Sequence, residues 1–252
     1  MAILAVVLFA VVLPGTVSAQ QAGGPLPTGI RIQFDQDSTP AEVSQSLQIV
    51  LLLTVLSLAP AIVVMTTSFT RILVVFGFLR RALGTQQVPS AQIMTGLSLF
   101  LTIFIMGPIW KGINEDAVKP YMDNQITQAQ AWDRGVAHMR TFMASQTGKA
   151  ELGLFLELAN EDQASKIEDV GMQILMPAFM VSELKTAFQL GFLLYLPFLV
   201  IDLVTATILM SLGMMMLPPM MISLPIKLLF FVLADGWNLF IRGLVSSFQG
   251  FS

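Results

Sequence analysis

Four long apolar runs, almost free of charge, constrain this chain more than any other feature of its sequence. Residues 43–70 and 82–110 include no charged side chain, 186–209 include only Asp202, and 219–241 include only Lys227 and Asp235. Their most apolar parts, near 47–66, 91–110, 186–209 and 219–241, are each long enough to cross about 30 Å of hydrocarbon as a helix. Pro60, Pro108, Pro197 and Pro225 fall inside these runs or at their ends. Proline frees a carbonyl that neighbouring protein must satisfy, so bent helices packed on other protein are expected. Charged residues make up 12% of the chain, against about 25% in soluble domains, which leaves too little polar surface for life alone in water. An all-α membrane protein of kinked helical hairpins is the expected class.

The first twenty residues read as a processing segment. An apolar run from Ala2 to Leu13 precedes Pro14 and Gly15, and Val17, Ser18 and Ala19 fit cleavage after Ala19. An uncleaved first membrane helix is the competing reading, but about a dozen apolar residues are short for a bilayer that needs roughly 20. Residues 1–19 are therefore expected to be a signal peptide and 20–40 a flexible leader rich in Gly, Pro and Gln. Residues 41–252 form one helical domain without internal repeats or linkers.

Orientation follows from the connections. The short one between the first two apolar runs holds Arg71, Arg80 and Arg81 and no acid, which predicts a cytoplasmic loop. The long one, 111–185, holds eleven acids and seven bases, a net of −4 that suits the outer side. Both agree with an exported N-terminus and four crossings. Within the outer connection, Trp132, Val136, Met139 and Met143 form one stripe of an amphipathic helix, and Leu152, Phe155, Leu156 and Ala159 form another. A lobe of about 70 residues holds little core alone, so these stripes are expected to face the membrane helices or a second copy.

Sites for chemistry are sparse. The sequence has no cysteine, a single histidine (His138), and no phosphate-cradling, zinc-protease or nucleophile-elbow motif. No catalytic, cofactor-binding or metal-binding residue is expected, and His138 reads as a surface or capping residue. A net charge of −3 gives no basic footprint for nucleic acid. More informative is the junction of the last two apolar runs, where Gly213, Met214, Met215, Met216, Leu217, Pro218 and Pro219 make an almost wholly apolar hairpin tip. Methionine is flexible and refits changing surfaces, so Met214, Met215 and Met216 are candidates for a deformable seal rather than ordinary packing. Charges at membrane depth need partners. With Met216 as the midpoint, Asp202 lies fourteen residues before it and Lys227 eleven after it, close enough in height to pair across the hairpin or between copies. Asp235, Glu183 and Lys185 complete the set of charges expected to be buried for assembly. Ala178, Ser182 and Thr186, and likewise Ala187 and Gly191, carry the small-residue spacing of close helix contacts.

The strings MTTSFTRILVVFGFLRRALGTQ (65–86), PAFMVSELKTAFQLGFLLYLPFLVIDLV (177–204) and MSLGMMMLPPMMISLPIKLLFFVLADGW (210–237) resemble the FliP/SctR family of type III secretion export gates. The likeness extends over roughly 41–248, and the ALGTQ stretch and outer lobe look more flagellar than virulence-type. It implies a subunit of the flagellar protein export gate, a pentameric ring joined by FliQ and FliR in a helical assembly. In such complexes FlhB wraps the entrance, FlhA lies below, and unfolded flagellar proteins pass through. It further implies an inner-membrane position in the flagellar basal body with a periplasm-facing portion, hairpins lifted largely out of the bilayer plane, and a methionine gasket at Met214, Met215 and Met216. Two alternatives remain: a virulence type III secretion gate subunit, or a small-solute or proton-coupled transporter with Asp202, Lys227 and Asp235 as a relay. A transporter of this size usually shows repeated halves, and none is visible here.

Overall fold

The computed structural model describes residues 40–85, 89–161, 170–214 and 218–248, and among them every regular element is helical. The expected signal peptide, and all but the last residue of the expected leader, lie outside the described residues. The chain divides into two units, Met1–Val63 and Val64–Ser252. In the first, helix α1 (Pro40–Met65) presents Leu51, Leu52, Leu53, Leu56 and Leu58 outward. Its polar groups turn inward on its own backbone: Thr54 Oγ1 donates to the Val50 carbonyl at 2.8 Å and Ser57 Oγ to that of Thr54 at 2.8 Å.

The second unit holds α2 (Phe69–Ala82), α3 (Ala91–Ile105), α4 (Gly107–Ile113), a π turn (Asn114–Val118) and α5 (Lys119–Met122). It continues through α6 (Gln128–Gln146), α7 (Lys149–Leu158), α8 (Met172–Ser211), α9 (Pro219–Leu233) and α10 (Gly236–Ser246). Helix α2 is the first departure from expectation, because Arg71, Arg80 and Arg81 belong to a helix rather than a loop. Ile72, Val75, Phe76, Leu79 and Ala82 recur on one face and are buried, and this face packs along α8. Ala187 and Gly191 on α8 let the two helices approach closely, so that a Cβ on Gly191 would lie 2.3 Å from the Phe78 ring. Around this crossing, Met94, Ile105, Phe198, Phe231, Phe240, Leu244 and Phe248 complete one core.

A second core forms where the lobe meets the start of α8. Met143, Phe142, Leu152 and Leu156 pack on Met106, Leu175, Ala178 and Phe179. The lobe's stripes thus face the long helices, although Trp132 at the head of the first stripe is exposed. Thr127 opens α6 with a capping box, its Oγ1 accepting from the Gln130 amide while Gln130 Oε1 accepts from the Thr127 amide.

Helix α8 is long and apolar enough to cross a membrane. Within the second unit two bent pairs also pass as single spans by length and composition, Ala91–Ile105 with Gly107–Met122 at 53° and Pro219–Leu233 with Gly236–Ser246 at 70°. The first break falls at Gly107 and Pro108, as the proline predicts. The second falls at Asp235, whose φ is +49°, ten residues beyond Pro225, and neither Pro197 nor Pro225 interrupts its helix.

Candidate functional site

Helices α8 and α9 form the hairpin that carries most of the candidate residues. At the end of α8 the Gly213 amide donates to the Met210 carbonyl at 3.1 Å and the Met214 amide to that of Leu209 at 3.0 Å. This is the Schellman pattern, and it requires the left-handed φ of +75° at Gly213. Pro218 and Pro219 then start α9, where the missing N–H costs nothing at a first helical turn. Met214 leaves the turn half-exposed, while Met215 and Met216 lie outside the described residues. Met220 and Met221 follow on α9, both exposed.

Behind the tip, Ser223, Lys227 and Phe231 recur every four residues and bury one stripe of α9. Lys227 is 4% exposed. Its Nζ donates to Asp202 Oδ2 at 2.5 Å and to the Ala82 carbonyl at 3.1 Å, so one ammonium ties α9 to α8 and to the end of α2. Asp202 Oδ1 is buried and has no partner among the described residues. The structure therefore brings Asp202 and Lys227 together within one chain.

Glu183 has a partner that spacing did not suggest. It is fully buried and holds the guanidinium of Arg71, itself 1% exposed. Arg71 Nε donates to Glu183 Oε2 at 2.9 Å, and Nη2 donates to Glu183 Oε1. Nη2 also donates to Gln146 Oε1 at 3.3 Å on the last turn of α6. Nη1 donates to the Ser247 carbonyl at 2.8 Å and to Ser247 Oγ at 3.2 Å, and the Phe248 ring centroid lies 3.9 Å from the guanidinium carbon. Arg71 was expected to mark a cytoplasmic loop. It is instead the hub of the buried polar network, and the signal available for it was an arginine at the edge of an apolar run together with an acid in the apolar setting of Glu183.

Lys185 and Asp235 were expected to be buried, and both are exposed in this chain. Two residues along a helix turn about 200°, which puts Lys185 on the face opposite Glu183. There it reaches Glu151 of the lobe, with Nζ 2.5 Å from Oε1. That hydrogen bond, with one from its own backbone amide, holds the Glu151 carboxyl below the usual carboxylate range. Asp235 sits at the break before α10, where its carbonyl accepts from the Asn238 and Leu239 amides. His138 packs against Gly112 and lies with Nε2 2.8 Å from Asp116 Oδ2 of the π turn.

Among the described residues, no group of three or more His, Asp or Glu side chains is placed to hold a metal ion. The buried charges are engaged with one another and with backbone carbonyls, an arrangement suited to fixing helices in register. Exposed apolar side chains run along α8 to Met214 and resume on α9 from Met220.

The chain matches the model of the FliP family over residues 52–244. It is 47% identical over 217 residues to the flagellar biosynthetic protein FliP of Bacillus subtilis, covering 86% of this chain and 98% of that one. The protein of the same name from Caulobacter vibrioides is 50% identical over 202 residues, 80% of this chain and 76% of that one. Its namesake in Pectobacterium carotovorum is 49% identical over 203 residues, 81% of this chain and 79% of that one.

Proposed function

The chain belongs to the FliP family, and from that membership we propose that it is a subunit of the flagellar type III export gate. The carrying observation is the match itself, which extends through α2, the lobe and the whole α8–α9 hairpin and joins this chain to relatives named as flagellar biosynthetic proteins. At the coarsest level the chain is a membrane-associated component of the flagellar export apparatus. Beyond that, it sits in the bacterial inner membrane within the basal body, with the lobe facing the periplasm. Copies of it form a pentameric ring that joins FliQ and FliR, next to FlhB and FlhA, and unfolded flagellar proteins pass along the axis.

The physical support lies in the surface of the hairpin. Phe188, Phe192, Leu193, Val200, Leu203 and Val204 leave α8 exposed in the single chain, and they need lipid or other protein chains beside them. The Schellman turn ends α8 and the Lys227 clamp ties α9 to it, and methionine side chains are by nature unbranched and deformable. An apolar constriction can block ions by dewetting and still part for a passing chain. Met214, Met215 and Met216 are assigned that sealing role.

Replacing all three methionines by alanine tests the assignment. The complex should keep its native mass, while cells holding it should admit small ions or dyes across the inner membrane. Normal assembly with unchanged permeability would return the methionines to ordinary packing. A purified particle no larger than one or two chains would remove the ring itself.

A further inference from the structure

The partners of Arg71 lie far along the chain. Gln146 is 75 residues later, Glu183 is 112 later and Ser247 is 176 later. The guanidinium is buried at the α2–α8 crossing, and the groups that satisfy it come from three distant parts of the chain. Glu183 neutralises its charge, while Nη1 donates to the Ser247 carbonyl and hydroxyl and the Phe248 ring covers one face of the guanidinium plane. A buried charged donor without an acceptor is expensive, because it has surrendered its hydration without replacement. Helix α10 is built to deliver these residues. Phe240, Leu244 and Phe248 are spaced four apart on the buried side and join the same core as Ile72, Phe76 and Ala187, and the Phe240 ring lies 5.0 Å from that of Phe76 at a tilt of 53°.

We infer that Ser247 and Phe248 form a closing latch on Arg71, so that the α2–α8 crossing becomes tightly packed only in a chain synthesised through Phe248. A chain ending earlier contains α2, α8 and the lobe, but its central arginine lacks two acceptors and an aromatic cover. Its crossing opens more often, and incomplete subunits are thereby distinguished from complete ones by their own packing. The inference concerns the fold of one chain and holds whatever complex that chain enters.

Because the chain has no cysteine, a single introduced thiol reports the crossing cleanly. Ala187→Cys puts one on the fully buried face of α8. Two chains are compared in detergent, one ending after Phe248 and one after Ser246, by the rate at which a maleimide labels the thiol. Loss of residues 247–248 should raise that rate by roughly a hundredfold or more, the stranded guanidinium adding to the lost ring burial, since labelling follows the open population. The same cut is then made in two further backgrounds. One is Arg71→Met with Gln146→Leu and Glu183→Leu, which removes the charges that need the latch. The other is Arg71→Lys, which keeps a cation beside Glu183 but lacks the fork that reaches Ser247. In either background the cut should raise labelling by about tenfold, the part owed to burial of the Phe248 ring. An equal rise in the parent and in whichever background folds would show that ring burial alone stabilises the crossing. No rise in the parent would show that there is no latch. Either result overturns the inference.

Discussion

Of the two side chains that close the α8–α9 hairpin, Lys227 is nearly sealed from solvent whereas Asp202 keeps 34% of its side chain exposed. Removing each should therefore have unequal effects. Asp202→Ala strands a buried ammonium with only the Ala82 carbonyl, and should destabilise the chain by about 3 kcal/mol, the lower end for breaking a buried pair. Lys227→Met leaves a carboxylate that water can reach, and should cost about 1 kcal/mol. The double variant should resemble Lys227→Met, because the stranded charge is gone. Thermal midpoints in detergent would measure all three, and equal single effects that add in the double would mean the residues act separately. A hairpin converts distance from its tip into height, so two offsets counted in the sequence put the pair at similar depth. They left open whether it meets within one chain or between copies. Arg71 and Glu183 offered no such measure. Nothing local relates residues 112 positions apart on helices that are not neighbours in the chain, and counting bases between apolar runs assigned Arg71 to solvent.

At the scale of the elements, periodicity carried most of the information. The stripes of α6 and α7 turned toward the protein as their spacing required, since an amphipathic helix has only one face to bury. The bends were less legible. Proline marks where a helix loses a hydrogen bond, but membrane-type helices absorb that loss, and Pro197 and Pro225 lie within unbroken helices. The break before α10 falls instead at Asp235 and Gly236, a turn-forming pair whose first member tolerates the left-handed region. Small-residue spacing pointed correctly to close contact at Ala187 and Gly191. At Gly191 an added Cβ would meet Phe78 Cδ2 at 2.3 Å, Cγ at 2.4 Å and Cβ at 2.9 Å. Contact with the root of a side chain cannot be relieved by a rotamer change alone. Gly191→Val should thus lower stability by about 2 kcal/mol through overpacking, despite removing a helical glycine. Phe78→Ala in the same chain should recover part of that loss. A thermal midpoint that does not fall in Gly191→Val would mean that α2 shifts freely along α8.

In the second unit as a whole, the lobe is attached to α8 by a core and by a rim of polar ties. The Gly148 amide donates to Ser182 Oγ at 2.9 Å, that hydroxyl donates to the Gln146 carbonyl at 3.2 Å, and Lys185 donates to Glu151. Because Lys185 lowers the pKa of Glu151 in the folded chain, the tie contributes fully above the ordinary carboxylate range and fades as pH falls through the depressed value. The difference in thermal midpoint between the parent and Lys185→Met should be constant above the ordinary carboxylate range and shrink as pH falls below it. A difference that persists at low pH would assign Lys185 a packing role. The all-helical class was legible from composition and run length, whereas the joining of lobe, α2 and α10 around one arginine was not, because it depends on contacts between distant elements. Helix α8 unites these parts, and its length has a mechanical consequence. Forty residues make a rod of about 60 Å, twice the thickness of a hydrocarbon layer, with the lobe clasped to one end and the Gly213 turn at the other. Pro177 and Pro197 lie within it without ending it. A few degrees of tilt imposed at the lobe become several ångströms of travel at the tip, so the helix is a lever whose long arm ends at the methionines.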